Sequence, residues 1–195
     1  MKQWIAAGLL ALSVSPALAQ SNVLAFKQPS SLPEELNMVV EIPAGSSIKY
    51  ETDADTGFLF VDRFQSMPVA YPANYGSITR TKGEDGDALD VIVYTRQPVQ
   101  GGALIRVRPI GVMKMIDGGE VDDKIVAVPV SKIDPTYDAV QKIEDLPAIE
   151  RDRLLAFFRV YKQLPDGRKA VEVKGFDTAE VAKALIKKAA EQYGK

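Results

Sequence analysis

An acidic segment near the middle of the chain, residues 83–93, constrains the fold more than any other stretch of the sequence. Asp85, Asp87 and Asp90 fall within six residues, and Glu84 adds a fourth carboxylate. Like charges repel by about 1 kcal/mol per pair at ~4 Å in water, and by several-fold more near a protein surface. A fold that gathers these carboxylates therefore needs a cation, and oxygen ligands suit a hard divalent ion such as Mg²⁺ or Ca²⁺.

Two alternatives for this acidic segment can be weighed from the sequence. Asp and Gly are common turn residues, so a solvated acidic turn is the simpler interpretation. An EF-hand counted from Asp85 would need a ligand at the fifth position and Gly at the sixth, where Leu89 and Asp90 stand, so this motif is excluded. A second acidic loop containing Asp117 and Asp122 favours a metal site. Carboxylates from two loops that hold more than one Mg²⁺ are the arrangement of metal-assisted phosphoryl chemistry.

The composition narrows the chemistry further. The chain has 195 residues, 46% of them hydrophobic, which is enough for one domain with a sizeable core. It has no Cys and no His, which excludes disulfides, zinc–thiolate sites, the Ser-His triad and imidazole catalysis. A formal net charge of −2 gives no broad basic surface, so no nucleic-acid partner is expected. Carboxylates, Lys, Arg, Tyr and metal ions must carry any reaction.

Residues 1–19 have the pattern of a secretory signal peptide. Lys2 precedes an apolar run over residues 5–12, and Ala17, Leu18 and Ala19 form a cleavage signal ahead of Gln20. The apolar run is too short to span a bilayer, so no stable membrane anchor is expected. A buried N-terminal helix is the alternative. The pattern predicts cleavage after Ala19 and export, with a periplasmic location.

The rest of the chain divides into an N-terminal lead-in, residues 20–33, and a single domain, residues 34–195. The domain begins with short strand patterns separated by Gly and Pro, and residues 71–78 are a loop or an irregular strand. Helical spacing appears over residues 147–161 and in a last helix capped by Asp177 or Thr178. Strands are predicted over residues 36–42, 47–53, 58–64, 91–95, 103–115, 124–130 and 168–176. The predicted class is α+β, a β-barrel core with helices packed on it.

Cationic and phenolic residues form a second group of candidates. Lys49 and Glu51 are two apart on a predicted strand and therefore share a face. A single Lys or Arg usually marks a solvated surface, and a single Tyr usually belongs to the core or its rim. Together they suit a pyrophosphoryl substrate, because they donate to phosphate oxygens while carboxylates bind the metal. The group comprises Lys49, Arg63, Tyr71, Tyr75, Tyr161 and Lys162.

Eight segments of the chain together form a recognisable set of motifs. They are LPEELNMVVEIP (32–43), IKYE (48–51), GFLFVDRF (57–64), YPANYG (71–76), DGDALDV (85–91), RPIGVMK (108–114), DGGEVDDKIVAVP (117–129) and FFRVYK (157–162). With these segments the chain resembles the soluble family I inorganic pyrophosphatases of the bacterial type. The resemblance covers residues 32–193, and the motifs occur in the family order. It implies a five-stranded OB-like β-barrel with flanking α-helices. It also implies hydrolysis of pyrophosphate to two phosphates, dependent on several Mg²⁺ ions per site.

The resemblance also implies roles for individual residues, carried over position by position. Asp87 resembles the family's general base. The implied metal ligands are Asp85, Asp90, Asp117 and Asp122. The implied phosphate-binding residues are Lys49, Arg63, Tyr75, Lys124, Tyr161 and Lys162. Glu41, Glu51 and Tyr71 stand in secondary positions near them. In the mechanism that follows, a metal-activated water attacks pyrophosphate directly, without a covalent enzyme intermediate.

The chain departs from the family pattern at two places. Ala88 stands where the signature usually has Pro or Glu, which changes loop stiffness and leaves the ligand count unchanged. Bacterial members generally form hexamers, some through histidines of the helix that here carries Ala156 and Val160. A homo-oligomer, by resemblance a hexamer, is therefore expected without those contacts.

Two other functions remain open from the residues alone. One is a non-catalytic OB-like module that binds an anionic polymer or a phosphometabolite and stores Ca²⁺ in its acidic loops. Such a module should carry a basic groove interleaved with aromatic residues, and this sequence has at least as many carboxylates as cations there. The other is hydrolysis of nucleoside polyphosphates.

Overall fold

The computed structural model describes residues 22–194, so the predicted signal peptide lies outside the described residues. This part of the chain contains nine strands and two α-helices. The strands are β1 (Leu36–Ile42), β2 (Ile48–Thr52), β3 (Leu59–Phe64), β4 (Asn74–Ile78), β5 (Asp90–Val93), β6 (Leu104–Asp117), β7 (Glu120–Val121), β8 (Lys124–Pro129) and β9 (Val171–Asp177). The helices are α1 (Ala148–Val160) and α2 (Ala179–Gln192). No helix within residues 22–194 is both long and apolar enough to cross a bilayer.

Five of the strands close into a barrel. Their order is β1, β4, β5, β8 and β6, and β6 pairs back onto β1, with Met38 opposite both Ile78 and Ile105. The β5–β8 pair is parallel and the other four pairs are antiparallel. This arrangement confirms the prediction of a five-stranded OB-like barrel with flanking helices. A closed barrel leaves no free edge between its strands, which removes a route to aggregation.

Strand β6 carries additional elements beyond the barrel. Its 14 residues pair with β1, β8, β9 and the short β7. Register shifts at Pro109/Gly111 and at Lys114/Met115 bend the strand, as bulges do. The bend lets one long strand serve the barrel at one end and the β9 pairing at the other. The β2–β3 hairpin forms a separate two-stranded sheet.

Alternate residues of the strands enter two hydrophobic clusters. Val91 and Val93 of β5 belong to a cluster that includes Ile186 of α2, whereas Ile92 belongs to one that includes Phe157 and Phe158 of α1. This follows from the strand period of two, which sends successive side chains to opposite faces. All seven residues of β1 are buried, as expected of a strand covered on both faces.

The chain ahead of β1 is bound to the domain. A short 3₁₀ helix, Val23–Ala25, begins after Asn22, whose side chain accepts a hydrogen bond from the Leu24 amide at 2.8 Å. The last helix is capped by Thr178, which accepts from the Val181 amide at 3.4 Å. Of the two caps that the sequence offered, the structure therefore uses Thr178. Strand β7 inside the second acidic loop was not predicted, because two residues are too few to show a period.

Candidate active site

A cleft of about 1130 Å³ opens between the barrel, the β2–β3 hairpin and the acidic loops. All fourteen residues singled out from the sequence line it, although they come from seven separate segments of the chain. They are Glu41, Lys49, Glu51, Arg63, Tyr71, Tyr75, Asp85, Asp87, Asp90, Asp117, Asp122, Lys124, Tyr161 and Lys162. The structure thus brings the whole candidate set together, while the role of each member stays a prediction.

The first acidic loop connects β4 to β5 and is closed by its own backbone. The Gly83 amide donates to the Asp87 carbonyl at 2.6 Å, and the Asp87 amide donates to Asp85 Oδ1 at 3.1 Å. Gly86 has a φ of +96°, a conformation that favours glycine. Asp85 and Asp87 are exposed. Partial burial, with the nearby Asp85 and Asp90 charges, raises the pKa of Asp87.

The second acidic loop places its carboxylates against lysines. Asp117 ends β6 and contacts Lys162, which follows α1. Asp122 contacts Lys124, the first residue of β8, and Lys124 also contacts Asp90, the first residue of β5. The Lys124 ammonium therefore joins the two acidic loops. Burial alone would lower the pKa of Lys124, but Asp90 and Asp122 outweigh it and raise the pKa above its usual value.

The β2–β3 hairpin supplies the cations of the opposite wall. Lys49 contacts Glu51, its neighbour on the same face of β2, and lies 3.0 Å from an Asp62 oxygen. The Arg63 guanidinium lies 2.5 Å from the same Asp62 carboxylate. Burial lowers the pKa of Lys49, against the opposing effect of Asp62. Asp62 is not among the residues singled out from the sequence, although its position beside Arg63 in the segment GFLFVDRF was a usable signal.

Glu41 is buried below the first acidic loop. One of its oxygens accepts from the Thr52 amide and from the Ser77 hydroxyl, both at 3.0 Å. Burial raises the pKa of Glu41, and the Asp90 charge adds to this effect. Since Thr52 is the last residue of β2 before the hairpin turn and Ser77 lies on β4, the Glu41 carboxylate fastens the turn end of the hairpin to the barrel.

Three tyrosines close the floor of the cleft. The Tyr71 ring packs 4.6 Å from Phe157, and the Tyr161 ring packs 5.2 Å from Phe158, between ring centroids. Lys124 Nζ lies 5.9 Å from the Tyr75 ring centroid. Burial is the main cause that raises the pKa of all three phenols, with nearby carboxylates contributing. Their hydroxyl groups therefore stay protonated at neutral pH and can donate hydrogen bonds.

The donor set of the cleft fits a hard divalent cation. Buried Asp117 Oδ1 and Arg63 Nε have no hydrogen-bond partner among residues 22–194, as expected of groups that meet a ligand. The same residues contain no group of three carboxylates already converged on one point. The lysine ammonium groups explain this, because they contact Asp90, Asp117 and Asp122. A metal ion would compete with these lysines for the same oxygens.

A cleft lined by carboxylates, lysines and an arginine beside an OB-like barrel suits a protein that binds phosphoryl compounds together with hard metal ions. Comparison with known proteins gives the particular family. The family described as inorganic pyrophosphatase matches residues 38–194. The chain therefore belongs to the inorganic pyrophosphatase family, as its motifs predicted.

Individual relatives agree with this assignment. The inorganic pyrophosphatase of Salmonella typhimurium is 49% identical over 166 residues, covering 85% of this chain and 92% of the relative. The crystal structure of the inorganic pyrophosphatase from Thermus thermophilus has a TM-score of 0.84 at 33% identity, covering 90% of this chain and 100% of that one. An inorganic phosphatase from Anaplasma phagocytophilum has a TM-score of 0.83 at 42% identity, covering 86% and 98%.

Proposed function

We propose that this protein hydrolyses inorganic pyrophosphate to two phosphates with the help of several Mg²⁺ ions. The observation that carries the proposal is the convergence of all fourteen family-matched side chains on one cleft. The cleft brings the carboxylates of the two acidic loops together with Lys49 and Arg63 of the hairpin. Pyrophosphate binds together with metal ions, so it needs cationic side chains for its oxygens and carboxylates for the metal.

Asp85, Asp90, Asp117 and Asp122 are the proposed metal-holding residues. Bound Mg²⁺ supplies neutralisation of phosphate charge and a lower pKa for water at the site. Three of these carboxylates contact lysines in the structure, so the same oxygens can exchange an ammonium group for a metal ion. With metal held there, Lys124 and Lys162 would be able to donate to phosphate oxygens in the cleft.

Asp87 is the proposed general base for a water that attacks phosphorus in line with the leaving phosphate. It is exposed at the tip of the first acidic loop, and no lysine of residues 22–194 lies within ion-pair distance of it. Its raised pKa brings it toward the range useful for accepting a proton. Lys49, Arg63, Lys124 and Lys162, with hydrogen bonds from Tyr75 and Tyr161, bind the phosphate groups and stabilise the charge of the leaving phosphate.

A phosphate-release assay with pyrophosphate and MgCl₂ tests this function. We expect two phosphates per pyrophosphate and loss of turnover when EDTA removes the metal. Turnover of ATP at a comparable rate would instead identify a nucleoside polyphosphate hydrolase, and no release from either substrate would contradict the proposal. The Arg63→Ala variant should mainly raise KM, by about tenfold or more for the loss of a charged hydrogen bond.

We also propose that copies of the chain assemble into a homo-oligomer, a hexamer by family resemblance. The hairpin supports assembly, because Phe58, Phe60, Val61 and Phe64 are each at least half exposed on it. Several large exposed apolar side chains on one small element are typical of an interaction surface. The molar mass from light scattering tests the number of copies. A monomer at micromolar concentration would contradict this proposal.

Export to the periplasm is a further proposal, supported by the pattern of residues 1–19 alone. Intact mass measurement on protein purified from its native source tests it. We expect a mature chain that begins at Gln20. A native chain that retains residues 1–19 would contradict the proposal.

A further inference from the structure

The segment of residues 22–28, which we call the strap, runs along the rim of the cleft and contacts both of its walls. Asn22 and Leu24 line the cleft. The strap lies ahead of residues 38–194, the part of the chain that matches the family. The strap has no role in the function proposed above. Its hydrogen bonds to the hairpin turn and to residues 79 and 80 point to such a role.

At one end the strap holds the turn of the β2–β3 hairpin. Asn22 Nδ2 donates to the Ala54 carbonyl at 2.6 Å, while Asn22 Oδ1 accepts from the Leu24 amide. Gly57, on the other side of this turn, approaches so closely that an added Cβ would lie 2.8 Å from the Asn22 Cα. Glu41 accepts from Thr52, the last residue of β2 before this turn. The strap therefore adds a second contact at the turn end of the hairpin, and it comes from outside the barrel.

At the other end the strap holds the residues that lead into the first acidic loop. The Arg80 amide donates to the Leu24 carbonyl at 2.8 Å. Gln28 Nε2 donates to the Thr79 carbonyl at 2.6 Å and to its hydroxyl at 2.8 Å. Arg80 has a φ of +51°, unusual for a residue with a side chain, and its guanidinium lies 5.5 Å from the Tyr193 ring centroid. Such a conformation persists only where its surroundings hold it.

We propose that the strap is a positioning element that sets the spacing between the hairpin and the first acidic loop. The hairpin carries Lys49 and Arg63, and the loop carries Asp85, Asp87 and Asp90. A two-stranded hairpin is marginally stable by itself, so its position depends on external contacts such as those at its turn. The proposal rests on the proposed function in one respect: the spacing matters because phosphate and metal must be held together.

Two conservative variants loosen one end of the strap each. Asn22→Asp keeps the oxygen that accepts from Leu24 and removes the donor to Ala54. Gln28→Glu keeps the oxygen that accepts from the Asn37 amide and removes the donor to Thr79 and to the Asn37 carbonyl. Ser30→Ala is the matched control, because Ser30 is exposed and lies just beyond the strap. All three full-length proteins are compared with wild type at equal concentrations of folded protein.

We expect each strap variant to raise the KM for pyrophosphate with Mg²⁺ by about fivefold, the effect of one hydrogen bond, with kcat changed less than twofold. A merely structural role would lower the yield of folded protein and leave KM unchanged. Backbone hydrogen exchange is the second measurement and needs no substrate. We expect faster exchange in residues 53–58 for Asn22→Asp and in residues 78–89 for Gln28→Glu, with no change for Ser30→Ala.

The outcomes separate the strap from the proposed function. Unchanged KM in both strap variants, or a kcat loss without a KM change, would overturn the positioning role. Hydrogen exchange equal to that of Ser30→Ala would overturn it as well. If wild type releases no phosphate from pyrophosphate, the proposed function fails. The exchange data would then still decide whether the strap holds the two walls.

Discussion

The two acidic loops of the cleft carry similar side chains in different electrostatic settings. In the first loop, Asp85 and Asp87 are exposed, and within residues 22–194 neither lies within ion-pair distance of a lysine. In the second loop, each aspartate contacts a lysine: Asp117 with Lys162, Asp122 with Lys124, and Asp123 with Lys114. The loops meet at Lys124, which contacts both Asp122 and Asp90.

This difference indicates a division of labour. Carboxylates already neutralised by lysines are held in place before any ligand arrives, so the second loop is preorganised. Exposed carboxylates without a cationic neighbour repel each other and gain most from a metal ion or a proton. Asp85 and Asp87 of the first loop therefore have no ion pair to break when a metal ion binds, whereas Asp117 and Asp122 of the second loop would have to give up a lysine. Each of the four variants below tests one side of this contrast.

The largest effect is expected at the tip of the first loop. Asp87→Asn should lower kcat by about 10³-fold, the contribution of a general base, while Mg²⁺ binding measured by calorimetry persists. Glu84→Gln is the matched control, because Glu84 belongs to the same loop, contacts Lys188 and does not line the cleft. A wild-type rate of phosphate release from Asp87→Asn would remove Asp87 from the base role.

The link between the loops should give the next largest effect. Lys124→Met leaves Asp90 and Asp122 without their shared cation, and Lys124 is only 3% exposed. Removing one partner of a buried ion pair should lower the free energy of unfolding by about 3 kcal/mol in the absence of metal. Mg²⁺ should stabilise this variant more than wild type, because it replaces the missing charge.

Urea unfolding with EDTA or with MgCl₂ measures both parts of this expectation. Lys132→Met is the control, since Lys132 is exposed and does not line the cleft. Equal unfolding free energies for Lys124→Met and Lys132→Met would show that Lys124 does not couple the loops.

The sequence was informative where the signal is local. Strand β1 was predicted with its observed ends, because a buried apolar run stops at Pro43. The fourteen cleft residues followed from motifs compared with a family. The lysine–aspartate pairing was not foreseen, since Lys162 and Asp117 are 45 residues apart and only the closed fold brings them together. The same holds for Gln28 and Thr79, which are 51 residues apart. For this reason the sequence did not predict that the lead-in is bound to the domain.

A smaller effect is expected for the pair of the second loop that lies outside the cleft. Lys114→Ala removes the partner of Asp123, whose carboxylate still accepts from the Met115 amide at 3.1 Å. Because the Lys114 side chain is 34% exposed, the free energy of unfolding should fall by about 1 kcal/mol at most. The rate of phosphate release should stay within about twofold of wild type. A tenfold loss of rate would show that the Lys114–Asp123 pair contributes to catalysis although it lies outside the cleft.

The smallest effect is expected for Glu84 of the first loop, whose contact with Lys188 of α2 is 2.5 Å long and solvent-exposed. The hydrogen bond from Lys188 lowers the pKa of Glu84 below its ordinary value of 4.5. A carboxyl whose pKa is lower in the folded state stabilises the fold above its unfolded pKa, and this contribution disappears as pH falls through the folded pKa. Wild type should therefore melt slightly above Glu84→Gln at neutral pH, and the two should converge below pH 4.5. Added salt should also remove the difference, because exposed charges are screened. If the melting difference grew at low pH, the ion pair would not be its cause. The contact between the first loop and α2 would then rest on other groups, such as the hydrogen bond from the Lys82 amide to the Ala189 carbonyl.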